Sequence, residues 1–453
     1  MLSASEAMIH PTLTAQGGTG FLQPQAPLTW QSAPPPGLPS VWVDAQRRFQ
    51  TVLGFGAAFT EAAAVTWQSL PAAQQAEFMQ ACFSRDEGHG YTLCRVHMNS
   101  CDFALGNYAH VEQADDFALN SFSIARDEQA LLPMIKAAQA VAWAEGREIT
   151  LLASPWSPPA WMKTTGAMNH GGELREDCRA AWALCYVRFI QAYAAHGVPI
   201  WGVTVQNEPE ALQRWDSCLY SAAQERDFVR DHLGPALEAA GLGHVRIVVW
   251  DHNRDKLVER ASIILGDPAA ARFVWGCGFH WYGEQHFNQV QLVHDAWPDK
   301  HLLFTEGCQE GGPHHGSWAL GERYAQSMIE DMNRWTEGWI DWNLLLNEEG
   351  GPNHVGNLCS SPLMADRASG QLIRHNSYAY IGHFSRFVQP GAQRILCAAT
   401  RERLEVTAFR NPDGRVALIA LNRSDEALPF AIGGELGWAQ SALPAHSIAT
   451  YGW

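Results

Sequence analysis

The sequence predicts an α/β fold, a closed (β/α)₈ TIM barrel carrying a small β-sandwich domain built from both chain ends, on three observations. Between about residues 52 and 387, short apolar runs of strand composition alternate eight times with longer stretches of helical pattern, and eight strand–helix units imply a parallel sheet closed on itself. Neither G-x-G-x-x-G nor G-x-x-x-x-G-K follows a first strand, which leaves a doubly wound sheet without support. After Pro390-Gly391 the pattern changes to short strands joined by turns.

The first forty or so residues are rich in Pro, Gln, Ser and Gly, including Pro34-Pro35-Pro36, a composition for extended strands and loops and against helix. Residues 41–43 and 49–52 alternate as short strands. The first barrel strand is 52–59, followed by an Ala-rich helix from Glu61 into the eighties. The second is 92–98, with a long loop and a helix over 126–146; the third, 149–153, ends in Ser154-Pro-Trp-Ser-Pro-Pro159 before a helix over 178–196. Then come 201–205 with a helix over 222–240, 245–250 with 255–265, and 273–280 with 284–297. The last two units are 302–306 with 320–335, and 339–345 with 377–387. Beyond them, 394–399, 404–409, 416–422, 428–432 and 447–451 read as strands, with Asn411-Pro-Asp-Gly414 as a hairpin turn. The N-terminal strands have no partners of their own, and an isolated hairpin is marginal in water, so they are expected to join this unit. The expected organisation is N-terminal sandwich strands in 1–50, a catalytic barrel in 51–387 and the C-terminal sandwich in 388–453.

The bulk numbers bound the function. With 453 residues the chain is long enough for a barrel and a smaller domain. A hydrophobic content of 47% and a charged content of 17% describe a well-buried globular protein. A net charge of −16 argues against nucleic acid or an anionic membrane surface as partner. The 19 Trp and 19 Phe fit a core and also the aromatic walls of a sugar cleft. Ten cysteines show no CxxC and no regular spacing, so reduced, buried thiols are expected in place of a zinc module or disulfide framework. No Lys or Arg precedes Arg47 and no apolar run is long enough to span a bilayer. The expected location is therefore cytoplasmic, or secreted if a signal has been removed, without stable membrane insertion. Oligomeric state is not legible.

In barrels of this kind the active site lies at the C-terminal ends of the strands. That rule selects Glu61, Arg95, His97, Trp156, Asn207, Glu208, His280, Glu306, Asp341 and Trp342. Two stand out. Trp201-Gly-Val-Thr-Val-Gln-Asn-Glu208 is an apolar run that ends in polar residues and is stopped by Pro209, and Leu302-Leu-Phe-Thr-Glu306 is another run ending in a carboxylate. Two strand-end glutamates are the equipment of glycoside hydrolysis: one carboxylate attacks or steadies the anomeric carbon, and one carboxylic acid protonates the departing oxygen. Position alone leaves open which takes which role.

Seven segments, taken together and in order, resemble glycoside hydrolase family 30 in its glucosylceramidase (acid β-glucosidase) branch. They are Gly54-Phe-Gly-Ala-Ala-Phe-Thr-Glu61, Arg95-Val-His-Met-Asn-Ser-Cys-Asp-Phe103, Ala153-Ser-Pro-Trp-Ser-Pro-Pro-Ala-Trp161, Thr204-Val-Gln-Asn-Glu-Pro209, Phe279-His-Trp-Tyr282, Phe304-Thr-Glu-Gly307 and Gly338-Trp-Ile-Asp-Trp-Asn343. The resemblance implies a retaining mechanism with Glu208 as acid/base and Glu306 as nucleophile, and Asn207 on the sugar 2-hydroxyl. It places Arg95 and Tyr282 near the nucleophile, and Asp102, Trp156, Trp342 and Asn357 in the sugar pocket. His280 joins the expected substrate-binding set and, like His97, is read as orienting neighbours by hydrogen bonds instead of holding metal. No metal or organic cofactor is expected.

Other residues have plainer readings. Glu61 is read as a helix N-terminal carboxylate. Glu210, Glu310, Glu348 and Glu349 are read as solvated loop residues, His314-His315 as loop, Cys101 and Cys308 as pocket-wall groups, and Trp182, Trp201 and Trp275 as core. The loops 210–218 and 309–318 differ from those expected of a ceramide-handling enzyme, which leaves the leaving group open. The sequence therefore reads as a retaining β-glycosidase acting on a β-glucoside or other β-glycoside, of β-glucosidase or glucosylceramidase type. A β-1,6-glucanase, β-xylosidase or β-fucosidase is the neighbouring reading, and a catalytically dead carbohydrate-binding barrel is the alternative from another class.

Overall fold

A computed structural model describes residues 8–453. Eight strands close into a parallel barrel: β1 (Gly54–Phe59), β2 (Leu93–Met98), β3 (Thr150–Pro155), β4 (Gly202–Thr204), β5 (Arg246–Asn253), β6 (Val274–His280), β7 (His301–Glu306) and β8 (Thr336–Asn343), with β8 paired back to β1. Strand alternation decides what each face holds. One set, including Val96, Leu151, Val203, Ile247, Phe279, Leu302 and Phe304, packs in the main core outside the barrel wall. The other points inward, where Leu93, Leu152, Val248, Leu303 and Ile340 form a dry floor over Leu53, Trp201 and Trp275. Two residues further on, four of these strands present Arg95, Ser154, Thr305 and Trp342 to the interior. Gly56 lets β1 and β2 close up, since a Cβ there would lie 1.9 Å from the Leu93 carbonyl oxygen.

β5 breaks the alternation. Trp250 and Asp251 are both left-handed, at φ 73° and 53°, and the pairing of β5 with β6 slips between Gly278 and Phe279, where Trp250 and then His252 are the partners. Asp251 is the extra residue of this bulge. Trp250 joins the outer core with Val249, and Asp251 turns into the barrel.

The helices depart from the sequence expectation at their breaks. The Ala-rich stretch is two helices, Glu61–Ser69 capped by the Thr60 side chain and Ala72–Phe83, because Pro71 ends the first. The expected helix over 222–240 is Ala222–Phe228, a π turn Val229–Leu233, and Gly234–Ala239. A small sheet not expected from sequence (Leu346–Asn347, Leu363–Asp366 and Gln371–Arg374) carries the loop after β8.

The second domain is a continuous ten-stranded sheet folded back around its own core of Ile9, Val41, Leu418, Phe430, Ile432 and Tyr451. Phe430 and Tyr451, on strands not bonded to each other, meet edge to face at 5.9 Å. Both chain ends enter it. Met8–Ala15 runs antiparallel to Ser447–Gly452, from His10 opposite Gly452 to Ala15 opposite Ser447. Residues 1–7 of the expected N-terminal segment lie outside the described residues. The two short strands expected over 41–43 and 49–52 are one, Ser40–Thr51, which bends to pair with Gln393–Ala399 on one side and Leu428–Gly434 on the other. Met8–Ala15 is a strand in the stretch where extended strands and loops were expected, whereas Gly437–Leu443 was not anticipated as a strand. The sandwich is bolted to the barrel helix Asn376–Ser385, where buried His383 bridges Thr14 at 2.9 Å and Thr450 at 3.0 Å.

Candidate active site

Above the floor, buried Arg95 on β2 is the hub. Its guanidinium donates to Glu306 Oε2 at 2.6 Å, Asp251 Oδ2 at 2.7 Å, Asn207 Oδ1 at 2.9 Å and Ser154 Oγ at 2.9 Å. It also lies 4.7 Å from the Trp156 ring centroid. An unpaired guanidinium in this dry interior would be costly, and two carboxylates neutralise it. Glu306, the last residue of β7, accepts a second bond from the Tyr282 hydroxyl at 2.9 Å.

Glu208 is held differently. β4 ends at Thr204, and the next residues stay tied to both neighbouring strands: Asn207 N–H donates to the Pro155 carbonyl at 2.8 Å, and Glu208 N–H to the Asp251 carbonyl at 3.0 Å. Glu208 sits at φ 47°, a left-handed conformation that a non-glycine residue holds only where its surroundings enforce it. Its Oε1 lies 3.2 Å from His280 Nδ1 and 3.7 Å from His252 Nδ1. His280 Nε2 meets Asp251 Oδ1 at 2.9 Å, and the same oxygen accepts from the Thr305 hydroxyl at 2.6 Å. Asp251 therefore anchors both Arg95 and His280, and through them both glutamates.

Glu208 and Glu306 line one cavity of about 310 Å³, together with Asp102, Trp156, Asn207, Tyr282, Trp342 and Asn357. Trp156 and Trp342 stack at 5.0 Å and 19° to form one wall. Asp102 faces them, its Oδ2 accepting from Asn353 Nδ2 at 3.1 Å and Asn357 Nδ2 at 3.0 Å. Arg95 and His280, expected among the substrate-binding residues, are instead fully buried behind the cavity wall: Arg95 braces Glu306 and Asn207, and His280 braces Glu208. Asp251 was not singled out from the sequence. Its signal was the polar run Asp251-His-Asn253 directly after an apolar strand, the same kind of strand end that drew attention to Glu208. His252 and Cys359 also line the cavity unannounced, while Gln213 and Trp215 line it from the loop 210–218 that was expected to border the leaving group.

Of the remaining candidates, Cys308, read as a pocket-wall group, and Glu310 line the cavity, and the others fall outside it. Glu61 follows the Thr60 cap and accepts from Arg126 at 2.8 Å. His97 accepts from the Glu61 N–H at 3.0 Å. Glu210, read as solvated, pairs with Lys256 at 2.5 Å, and Glu348 with Arg367 at 2.8 Å. All ten cysteines are free thiols.

Burial and charge set the protonation of the site. Burial pushes the Glu306 carboxyl up, against the opposing pull of His280 and Arg95. Burial also acts on Glu208, but the neighbouring His252 and His280 outweigh it and hold this carboxyl below its ordinary range. His280 is pushed up to about 9: burial works against its charge, and Glu306, Asp251 and Glu208 more than offset that. Arg95 and His280 together hold Asp251 well below the usual carboxylate range despite its burial. Burial pushes Asp102 up to about 7.

Two family models cover nearly the whole chain: the glycosyl hydrolase family 30 TIM-barrel domain matches residues 52–388, and the glycosyl hydrolase family 30 beta sandwich domain matches residues 391–451. Mouse (Mus musculus) lysosomal acid glucosylceramidase is 36% identical over 428 residues, 90% of this chain and 82% of that protein. Among solved structures, SrfJ from Salmonella typhimurium superposes with a TM-score of 0.93 at 38% identity, covering 98% of this chain and 99% of that one. The endo-beta1,6-glucanase BT3312 does so with a TM-score of 0.88 at 28% identity, covering 98% and 99%.

Proposed function

Because the chain belongs to glycosyl hydrolase family 30 and is a glycoside hydrolase, we propose that it hydrolyses a β-glucoside with retention of configuration, with Glu306 as nucleophile and Glu208 as acid/base. The observation that carries this reading is the unequal bracing of the two carboxylates. Glu306 is gripped through both oxygens by Arg95 and Tyr282 at 2.6 and 2.9 Å, which fixes its position, and Arg95 offsets part of the cost that burial imposes on its anion. Glu208 touches only imidazoles, groups that can exchange a proton with it.

In the first step a Glu306 oxygen bonds to the anomeric carbon as the bond to the leaving oxygen breaks, and Glu208 delivers a proton to that oxygen. In the second, Glu208 takes a proton from water, the water oxygen bonds to the anomeric carbon, and Glu306 is released. His280 supplies the proton economy. Its imidazolium beside Glu208 is the source from which Glu208 is protonated as negative charge develops on the leaving oxygen. In this reading Asn207, fixed by Arg95, holds the sugar 2-hydroxyl, and Trp156, Trp342 and Asp102 bound the ring.

A β-1,6-linked glucose unit is the second reading of the leaving group. Gln213, Trp215 and Glu310 line the rim from the two loops that flank Glu208 and Glu306, and a polar and aromatic rim suits a sugar better than an alkyl chain. Proton NMR of the products tests the mechanism: the β-anomer formed first supports retention, and the α-anomer formed first overturns it. Rates on an aryl β-glucoside, glucosylceramide and β-1,6-glucan distinguish the leaving groups.

A further inference from the structure

Glu208, His252 and His280 come from three different strand ends, yet one ligating atom of each lies within 4.8 Å of those of the other two. Two of the edges are 3.2 and 3.7 Å. A zinc ion with ligands at about 2.0–2.1 Å in a tetrahedron separates them by roughly 3.3–3.4 Å, so the observed edges bracket the required one. Two further features fit an ion. His252 Nδ1 is buried and has no hydrogen-bond partner; an orphaned nitrogen aimed at a carboxylate lacks what would satisfy it. His280 presents Nε2 to the Asp251 carboxylate at 2.9 Å, the carboxylate–histidine arrangement that fixes a metal-binding imidazole and strengthens its free nitrogen as a donor. Glu208 and His252 both line the cavity, which leaves a fourth position open to water.

We propose that these three side chains form a site for a divalent transition ion, of which zinc is the probe, and that its occupation switches the hydrolase off. The ion takes the place of the proton on His280 Nδ1, which goes to solvent, and ties up the Glu208 oxygen. Two histidines and a glutamate are a donor set suited to zinc and ill suited to magnesium or calcium, which prefer all-oxygen sites. Zinc binding stands on geometry alone. The inhibitory effect rests on the reading of Glu208 as acid/base.

Calorimetric titration of the chelator-treated protein with ZnCl₂ at pH 7, beside an activity assay, separates the two. One ion per chain is expected to bind. His252→Gln is expected to weaken binding by about tenfold or more, whereas His315→Gln, at a histidine outside the cavity, leaves it unchanged. No one-to-one binding up to millimolar zinc, or equal binding by wild type and H252Q, overturns the site. Should H252Q fail to fold, Co²⁺ bound to the wild type decides: a strong four-coordinate visible band supports the site, and the weak band of a six-coordinate surface ion overturns it. Zinc binding at the site with undiminished hydrolysis overturns the switch and, with it, the acid/base assignment of Glu208, but leaves the ion site intact.

Discussion

The two ends of the barrel interior are made by the same strands and hold opposite chemistry. At the N-terminal end, Leu93, Leu152, Val248, Leu303 and Ile340 pack a layer with no polar atom. Two or three residues further along, the interior holds Arg95, Asp251, His280 and Glu306, all buried or nearly so. The floor excludes water beneath the charges, so every ion pair above it acts in a medium of low polarity, strong when matched and costly when not. The charged layer meets that condition by mutual neutralisation, with Arg95 between two carboxylates and His280 between Asp251 and Glu208. The floor should therefore govern stability and the upper layer catalysis.

The largest effect expected is at the top. Glu306→Gln keeps shape and volume but removes the proposed nucleophile, and kcat should fall on the order of 10⁴-fold or more while the circular dichroism spectrum is retained. Residual activity near wild type would remove Glu306 from its role. At the floor, Leu303→Ala should cost about 2–5 kcal/mol in denaturant unfolding and leave kcat/KM at 25 °C within about twofold for the folded fraction. A loss of activity without a loss of stability would break the division between the two ends.

The smallest effect sharpens the contrast within the upper end itself. Asp251 is paired and held low, whereas Asp341 on β8 accepts only the Tyr324 hydroxyl at 2.7 Å, and burial pushes it up to about 8. Its folded pKa lies above its unfolded one. Its contribution to stability is therefore complete below the unfolded carboxyl range, near about pH 4, and is lost as pH rises through about 8. The melting temperature should fall between about pH 4 and pH 8, and Asp341→Asn should flatten that fall. An unchanged slope in the variant would place the titrating group elsewhere.

What was legible follows the range of the signal. All eight barrel strands could be read because each is a local apolar run. Their ends pointed to Glu208, Glu306, Arg95 and Trp342 because strand ends are where this architecture gathers function. Motif resemblance supplied Asp102 and Asn357, which periodicity could not, since both lie in loops. Asp251 was lost because strict alternation assigns the inward place to Trp250. Arg95 was read beside Glu306 and His280 as orienting its neighbours, but both were also counted among the substrate-binding residues, since a position at a strand end does not say whether a side chain lines the cavity or stands behind its wall.

The sequence by itself determined the periodicities, and with them the strand–helix repeat, the apolar floor and the positions of two glutamates 98 residues apart (306 − 208). Those features depend on neighbours two to four positions away. The tertiary structure alone decided that β5 bulges against β6, turning Asp251 inward, and that His252 and His280 converge on one oxygen of Glu208. A bulge is a mismatch between two paired strands, and no single strand carries the information that fixes it.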